Sequence, residues 1–339
     1  MTPLERIGLT LAGQFADRRP AAPVLSLYGC RMIGSTPSSY YRDPELYLAG
    51  QKAVVGAFDP DIVFAPFALP LEVETLGVEL VWTHDGPPNV RKPMQVPAGG
   101  SSELYQAQPE SDASLSYLIE SALLLAGEYA GERPVAAILT APSDLPAIIL
   151  GIDAWLDLLL FKQEIAQGYL QFAEEHFVAM ATAYFKAGVA FIAVPVGFAN
   201  PAILTDRQIR ELTLPSLQRV FGRSPGPLVF HHGANKLDGV IKMFTGLPNV
   251  AGFAIDERDD SSAIRSEIGL GPLILAGPSG PKLNRRSVPV IKSYISRLLA
   301  RRVEDPRLVV VTSEADIPWD TPMENIHAFM DAVREAGPS

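Results

Sequence analysis

Two adjacent histidines, His231 and His232, are the residues of this chain whose position best suits chemistry. They follow the apolar segment 228–230 and precede Gly233, a pattern that is typical of a strand ending in a glycine turn. Loops after such strands often carry the reactive groups of an enzyme, and an imidazole there can bind a metal ion or move a proton. The alternative is structural: the pair caps the strand and bonds nearby carbonyl groups.

Eight short apolar segments supply the elements that would hold these histidines in place. Runs of this kind suit strands that are buried on both faces. Amphipathic stretches between them begin with capping signals such as Asp43-Pro44-Glu45. Strands that alternate with helices in 339 residues predict the α/β class and a (β/α)8 TIM barrel, with an open doubly wound sheet as the alternative. The predicted strands are residues 24–28, 62–65, 135–139, 191–194, 228–230, 252–255, 273–276 and 308–311.

The segment between the second and third predicted strands is too long for one helix. Residues 67–134 contain a strand-like run and a Pro- and Gly-rich stretch, which predict a hairpin-like insertion followed by an extra helix at about 111–129. Residues 145–160 and 164–187 predict two more helices. No repeat or low-complexity linker divides the chain, so we predict one barrel domain over residues 1–339.

In such a barrel the active site is built from the loops after the carboxyl ends of the strands. The first half of this predicted mouth is neutral and aromatic and would pack an apolar substrate. The second half gathers two histidines and four carboxylates. The candidate substrate-binding residues are Tyr28, Arg31, Phe67, Phe198 and Asn235, and the candidate catalytic residues are His231, His232 and Asp256. The other carboxylates of the predicted mouth are Glu257, Glu314 and Asp316.

Three uses of the histidine and carboxylate half stay open. Histidine with Asp or Glu is a ligand set for zinc, and an open coordination position would activate a bound oxygen. Without a metal, His231, His232 and Asp256 could act as general acid and base. In the third alternative Asp256 and Glu314 cap the helices that follow their strands, and the histidines bond those carboxylates.

The composition excludes several classes of function. With 47% hydrophobic and 19% charged residues and no apolar run of about 20 residues, the chain is globular, with no predicted membrane span. A net charge of −10 opposes binding to nucleic acid. The single Cys30 rules out an internal disulfide and any metal site that needs two thiolates from this chain. Residues 1–19 lack an export signal, so we expect a cytoplasmic protein.

Several segments, taken together and in order, resemble the uroporphyrinogen decarboxylase superfamily. This superfamily also contains corrinoid-dependent methyltransferases, such as methylcobamide:coenzyme M methyltransferase and bacterial O-demethylase components. The resemblance implies a (β/α)8 barrel from about residue 4 to residue 336. The segments that carry it are residues 34–45, 58–63, 72–77, 140–142, 230–235 and 316–325.

Departures from the family pattern argue against porphyrinogen decarboxylation. True decarboxylases carry Arg-Gln-Ala-Gly-Arg after the first strand, whereas this chain has Tyr28-Gly29-Cys30-Arg31-Met32. They also carry an essential aspartate in Phe-Ser-Asp-Ile-Leu after the second strand, whereas this chain has Phe64-Ala65-Pro66-Phe67-Ala68. The segment 34–63 and the ending Asp316-Ile-Pro-x-Asp-Thr-Pro-x-Glu-Asn325 look like the methyltransferase branch instead.

That branch suggests a zinc site, which this chain matches only in part. Thiol-activating relatives bind zinc through His-x-Cys-Gly-Asn and a second cysteine, and both cysteines are missing here, where the motif is His231-His232-Gly233-Ala234-Asn235 and Ala315 takes the second position. Some O-demethylase components resemble a Glu-x14-Glu-x20-His pattern, of which Glu211 and His232 match the second half while Val196 takes the first position. The resemblance therefore implies zinc held by His231 or His232 with oxygen from Glu211, Asp256 or Glu314.

The leading hypothesis is a methyltransferase that moves a methyl group between a small methylated substrate and a corrinoid. No Asp-x-His-x-x-Gly corrinoid-binding motif is present, so a separate partner protein would carry the corrinoid. Two copies of the chain could associate as a homodimer. The alternatives are a decarboxylase or lyase that acts on a small acid through His231 and Asp256, and a degenerate barrel that binds a ligand without catalysis.

Overall fold

A computed structural model of the protein describes residues 1–97, 100–104 and 108–337. Its main sheet has eight parallel strands, which are β1 (Ala21–Ala22), β2 (Val63–Phe64), β5 (Val135–Ile138), β6 (Phe191–Pro195), β7 (Leu228–His231), β8 (Val250–Ala254), β9 (Leu273–Ala276) and β10 (Leu308–Val311). They are paired in the order β1-β10-β9-β8-β7-β6-β5-β2. Helices surround this sheet, which confirms the predicted (β/α)8 barrel.

The barrel seam between β1 and β2 is bridged by one buried carboxylate. Asp61 precedes β2, and its backbone N–H donates to the carbonyl of Ala21 at 2.8 Å. Its carboxylate accepts from the backbone N–H of Ala21 at 2.6 Å and from the guanidinium groups of Arg6 and Arg18. Because Asp61 is fully buried, these partners are needed to offset the loss of its hydration.

The described helices follow the strands as a barrel requires. Those of the first half are α1 (Pro3–Ala12), α2 (Ser26–Met32), α3 (Pro37–Tyr40), α4 (Pro44–Phe58), α5 (Ala113–Glu128), α6 (Leu145–Leu150), α7 (Ile152–Phe161) and α8 (Gln163–Lys186). Those of the second half are α9 (Asp206–Gln208), α10 (Leu214–Arg223), α11 (Ser261–Ile268), α12 (Val288–Arg301) and α13 (Met323–Glu335), with a π-helical turn at Ile209–Thr213. Within the described part of the chain, no helix combines the length and apolarity that crossing a membrane requires.

The insertion after β2 contains the predicted hairpin and helix. An antiparallel pair, β3 (Glu79–Val81) and β4 (Asn89–Lys92), forms the hairpin, and α5 is the extra helix. The backbone N–H of Met94 donates to the carbonyl of Ile149 at 2.7 Å, which ties the hairpin to α6. On the β3 side of the hairpin, the guanidinium of Arg42 lies 4.8 Å from the ring centre of Trp82 and holds it by a cation–π contact. The hairpin is therefore fixed over the carboxyl end of the barrel.

Two sequence predictions about elements were wrong. The first strand is Ala21–Ala22, and residues 26–32, which include most of the apolar run 24–28, form α2. A short buried helix and a buried strand share the same continuous apolar pattern, so this pattern alone cannot distinguish them. The region 145–187 forms three helices, because Gly151 adopts a φ of 86° that breaks the first predicted helix into α6 and α7.

Candidate functional site

Two adjoining cavities lie at the carboxyl end of the barrel. The larger, here called the chamber, has a volume of about 810 Å³ and lies between the hairpin, α6 and the loops after β2, β6 and β10. The smaller, here called the central cavity, has about 60 Å³ and lies inside the barrel, with His231 and Glu314 among its mainly apolar lining. They share the lining residues Phe67, Pro195 and Ala315, so these three residues form the boundary between the two cavities. The chamber has the size of a small-molecule site, whereas the central cavity has room for a water or two.

Asp144 is the first of two carboxyl groups in the chamber wall. It lies just before α6, and its Oδ1 accepts from the backbone N–H of Gly197 at 2.6 Å. Its Oδ2 accepts from the Ser143 hydroxyl at 2.6 Å and from the backbone N–H of Phe198 at 3.5 Å. Burial raises the pKa of Asp144 to about 6, and these hydrogen bonds offset only part of that effect. Asp144 can therefore change its protonation state near neutral pH.

Asp316 is the second carboxyl group and follows β10. Its oxygens accept from the backbone N–H groups of Leu27 at 2.7 Å, and of Ser26 and Ile317 at 3.0 Å. Asp316 thus satisfies free N–H groups at the start of α2 and anchors that helix to the barrel mouth. Burial raises its pKa to about 7, again against the effect of the hydrogen bonds. Asp316 carries a partial negative charge at neutral pH.

A buried glutamate behind the chamber fixes Thr140, which lines the chamber after β5. Glu72 Oε1 accepts from the Thr140 hydroxyl at 2.7 Å and from its backbone N–H at 3.0 Å. The other oxygen of Glu72 lies 3.5 Å from Nε2 of buried His176. Because the Thr140 hydroxyl proton is directed to Glu72, its oxygen can act toward the chamber only as a hydrogen-bond acceptor.

The two histidines point to different places. His231 ends β7 and lines the central cavity, where burial, aided by the proximity of His232, lowers its pKa to about 4. Its Nδ1 accepts from the backbone N–H of Gly233 at 3.3 Å, which assigns the proton of the neutral ring to Nε2. His232 is 1% exposed, and its ring nitrogens lie 2.8 and 2.9 Å from the carbonyls of Ala199 and Lys236. His232 therefore joins two loops and is removed from both cavities.

The turn that separates these histidines requires glycine. Gly233 has a φ of 57°, and a Cβ added there would lie 2.8 Å from the Cα of Gly197. The same Gly197 donates its N–H to Asp144. The histidine turn after β7, the loop after β6 and the chamber carboxylate are therefore one packed unit.

Three of the four carboxylates of the second half of the mouth, Asp256, Glu257 and Glu314, are paired with basic side chains. Asp256 accepts from the guanidinium of Arg258 at 2.6 and 3.0 Å. Burial would raise the pKa of Asp256, but the Arg258 contacts outweigh it and hold the pKa below its usual range. Lys282 bonds both Glu257 and Glu314, at 3.0 and 2.9 Å. The prediction that Asp256 moves a proton is therefore corrected, because Asp256 stays ionised in an ion pair.

The structure also corrects four other predicted site residues. Tyr28 is fully buried in α2 and its hydroxyl donates to the carbonyl of Thr321 at 2.8 Å. Arg31 donates to the carbonyls of Trp319 and Thr321, each at 2.7 Å, so it locks the chain before α13. Asn235 bonds the backbone of its own turn, and Glu211 is an exposed partner of Arg207. Phe67 and Phe198 do line the chamber.

The predicted zinc ligands do not come together. His232 is enclosed by carbonyl groups, Glu211 lies on the π-helical turn, and Glu314 is bonded to Lys282. Among the residues that the structure describes, no group of three His, Cys, Asp or Glu side chains is arranged to hold a metal ion. The residues present therefore do not fit the zinc site of the relatives, and we assign no step to zinc.

Sequence reasoning missed two residues that line the chamber, Asp144 and Thr140, and the buried Glu72 behind it. Asp144 was not among the predicted site residues. Thr140 and Glu72 were included only within the segments 140–142 and 72–77 that carry the family resemblance. The available clue for Glu72 was its position between the apolar residues Leu71 and Val73, which favours burial and therefore a polar partner.

Comparisons with known proteins agree with this architecture. A search of curated proteins finds no match. A methyltransferase from Methanosarcina mazei has the same fold, with a TM-score of 0.87 at 18% identity over 99% of each chain. A B12-independent methionine synthase from Shewanella sp. W3-18-1, solved in complex with selenomethionine, has a TM-score of 0.55 at 12% identity over 95% of this chain and 99% of that one. The family model described as uroporphyrinogen decarboxylase (URO-D) matches residues 2–336. This chain therefore belongs to the uroporphyrinogen decarboxylase family, as its motifs implied.

Proposed function

We propose that this protein is a methyltransferase, which moves a methyl group between a small methylated substrate and a corrinoid carried by a separate partner protein. The observation that carries the proposal is the chamber of about 810 Å³, with its apolar walls and two carboxyl groups of raised pKa. The fold shared with a methyltransferase supports it. The sequence motifs of the corrinoid-dependent branch of the family support it as well.

The chamber residues have separable tasks in such a transfer. The rings of Phe67 and Phe198 hold the apolar part of the substrate and keep water from the methyl group. Asp144 and Asp316, whose pKa values lie near neutrality, supply either a proton to the atom that the methyl group leaves or a negative charge beside it. Neutral His231 offers an Nε2–H donor in the central cavity.

The charge of the chamber argues against the decarboxylase alternative. A small acid would need a Lys or Arg partner, as buried carboxylates generally do. The described residues that line the chamber include Asp85, Asp144 and Asp316 but no Lys or Arg. An anionic substrate would therefore be repelled where this chain would have to hold it.

The proposal is tested by methyl transfer to reduced corrinoid. The protein is mixed with cob(I)alamin, or with a reduced corrinoid protein, and with a panel of methylated ethers, amines, ammonium and sulfonium compounds. We expect methylcobalamin to form from at least one donor, measured by its absorbance and by mass spectrometry. Absence of methylcobalamin with every donor, when both free cob(I)alamin and reduced corrinoid proteins are offered as acceptors, would show that the barrel does not transfer methyl groups.

A further inference from the structure

The charge of the chamber carries an inference about its substrate. Asp144 and Asp316 are half-buried in its wall, and Asp85 of the hairpin lies at its solvent-facing side. Lys, Arg and His are absent from the lining residues within the described ranges. His84, which lies 3.6 Å from Asp85, is 92% exposed and so adds little to the potential inside. The chamber therefore has a negative potential with no resident counter-charge.

The two inner carboxylates provide charge but few free acceptor positions. Asp144 already accepts three hydrogen bonds, from Ser143, Gly197 and Phe198. Asp316 also accepts three, all from backbone N–H groups. A carboxylate has about four lone-pair positions, so a ligand rich in N–H donors would find most of them occupied. A ligand that brings positive charge without donors suits these groups better.

The remaining wall is apolar and partly aromatic. Phe67 and Phe198 contribute rings, and Leu69 and Ile148 contribute aliphatic surface. Methyl groups that carry a share of positive charge bind well against such surfaces, and aromatic rings attract cations of the quaternary ammonium type. Apolar contact and negative potential are thus combined in one cavity. A neutral ether would use the first property only, and an anion would be opposed by the second.

We propose that the substrate of the chamber is a methylated onium cation, with a quaternary ammonium or sulfonium group held between the phenylalanine rings and the two inner carboxylates. This inference rests on the proposed methyl transfer and names its substrate class. The thioether that remains after transfer from a sulfonium donor is neutral, whereas a tertiary amine product takes up a proton from water and becomes a cation again. The neutral thioether leaves the negative chamber with less affinity than the sulfonium had on entry, which favours turnover of sulfonium donors.

The transfer from such a cation balances without an added proton. The bond between the methyl carbon and nitrogen or sulfur breaks, and its electron pair stays on the heteroatom, which becomes neutral. Cobalt(I) of the partner's corrinoid supplies the electron pair for the new bond to the methyl carbon and becomes cobalt(III). In this scheme Asp144 and Asp316 act by their charge on the bound cation.

Binding of choline compared with 3,3-dimethyl-1-butanol tests the inference, because the two molecules have the same shape and differ by one charge. Titration calorimetry at about pH 7.5 should show choline binding at least tenfold more tightly. Removing one charge in Asp144→Asn or Asp85→Asn should reduce that advantage, by about tenfold for the inner residue. The matched control is Asp157→Asn, an exposed carboxylate of α7 paired with Lys162, which should leave it unchanged.

The outcomes separate this inference from the proposed function. Equal binding of the two isosteres, or a choline advantage that survives both chamber variants, overturns the inference. Methyl transfer from ethers but not from onium donors also overturns it and leaves the proposed function intact. Tight, charge-dependent binding of choline without methyl transfer from any donor of the panel, ethers included, retains the chamber as a cation site and contradicts the methyltransferase.

Discussion

Replacing Asp144 by asparagine should change how the stability of the protein depends on pH. Burial raises the pKa of this carboxyl from 3.8 to about 6, and hydrogen bonds from Ser143 and Gly197 only partly oppose it. The folded protein therefore holds this proton more tightly than the unfolded chain does. Below about pH 4 the carboxyl is protonated in both states, so it does not lower the free energy of unfolding. As the pH rises through 6, the buried carboxyl lowers the free energy of unfolding progressively.

The size of this effect follows from the shift. About two pKa units at about 1.4 kcal/mol each give roughly 3 kcal/mol. Because Asp144 is only half-buried, solvent screening lowers this to about 2 kcal/mol. The asparagine variant has no proton to lose. Between about pH 4 and 7.5 we expect the free energy of unfolding of the wild type to fall by about 2 kcal/mol relative to the variant.

Urea unfolding followed by tryptophan fluorescence measures this difference at each pH. Trp155 is a local probe, because its indole N–H donates to the carbonyl of Ser143, next to Asp144, at 2.9 Å. A constant offset between the curves is expected from altered hydrogen bonds and does not matter, since only the pH-dependent part reports the pKa. A flat or rising difference for Asp144→Asn would refute the argument that burial controls this carboxyl.

Three further predictions test other parts of the structure. Gly233→Ala should lower the free energy of unfolding by about 2 to 4 kcal/mol, because Gly233 has a positive φ and an added Cβ would clash with Gly197. The control Gly239→Ala, at a positive φ but with open space around it, should lower it by about 1 kcal/mol. If thermal unfolding shows that the Gly233 variant loses no more stability than the Gly239 variant, the packing argument is wrong. Asp61→Ala removes the buried acceptor shared by Arg6, Arg18 and the backbone N–H of Ala21, although Arg6 keeps its partner Asp17, and should cost about 3 to 5 kcal/mol in urea unfolding; a loss under 1 kcal/mol would contradict the seam described above. Treatment with a strong chelator should leave methyl transfer unchanged, and activity that is lost and then restored by zinc would contradict the ligand geometry.

Much of the barrel could be predicted from the sequence, because both faces of its strands are buried. Seven of the eight strands follow continuous apolar runs, and the region 308–311 is an example in which prediction and structure coincide. The prediction of the first strand was wrong although it used the same signal, a continuous apolar run, that located the other strands. Ala21 and Ala22 are small and flanked by proline, while the longer apolar run after them packs as α2. An apolar run predicts that a segment is buried, but it does not by itself show whether that segment is a strand or a helix.

The site was harder to predict because its chemistry depends on partners that are distant in sequence. Arg258 lies two residues from Asp256, yet Lys282 reaches Glu257 and Glu314 from another loop. Because of these ion pairs, the part of the mouth formed by Asp256, Glu257 and Glu314 is less acidic than the sequence suggested. Phe67 and Phe198 were placed correctly in the mouth, since strand ends alone locate them. The raised pKa of Asp144 follows from its burial between the start of α6 and the loop after β6, which no local motif indicates.

Filling the chamber is the most direct test of whether methyl transfer takes place there. Ile148 lines the chamber, so Ile148→Trp should occupy space that the substrate needs, while Leu123→Trp adds the same side chain at an exposed position of α5. With the best donor from the panel and reduced corrinoid, kcat/KM for methylcobalamin formation should fall at least about 100-fold in the first variant, which corresponds to about 2.7 kcal/mol, and stay unchanged in the second. Unimpaired transfer by a folded Ile148→Trp protein would contradict the assignment of the chamber as the substrate site.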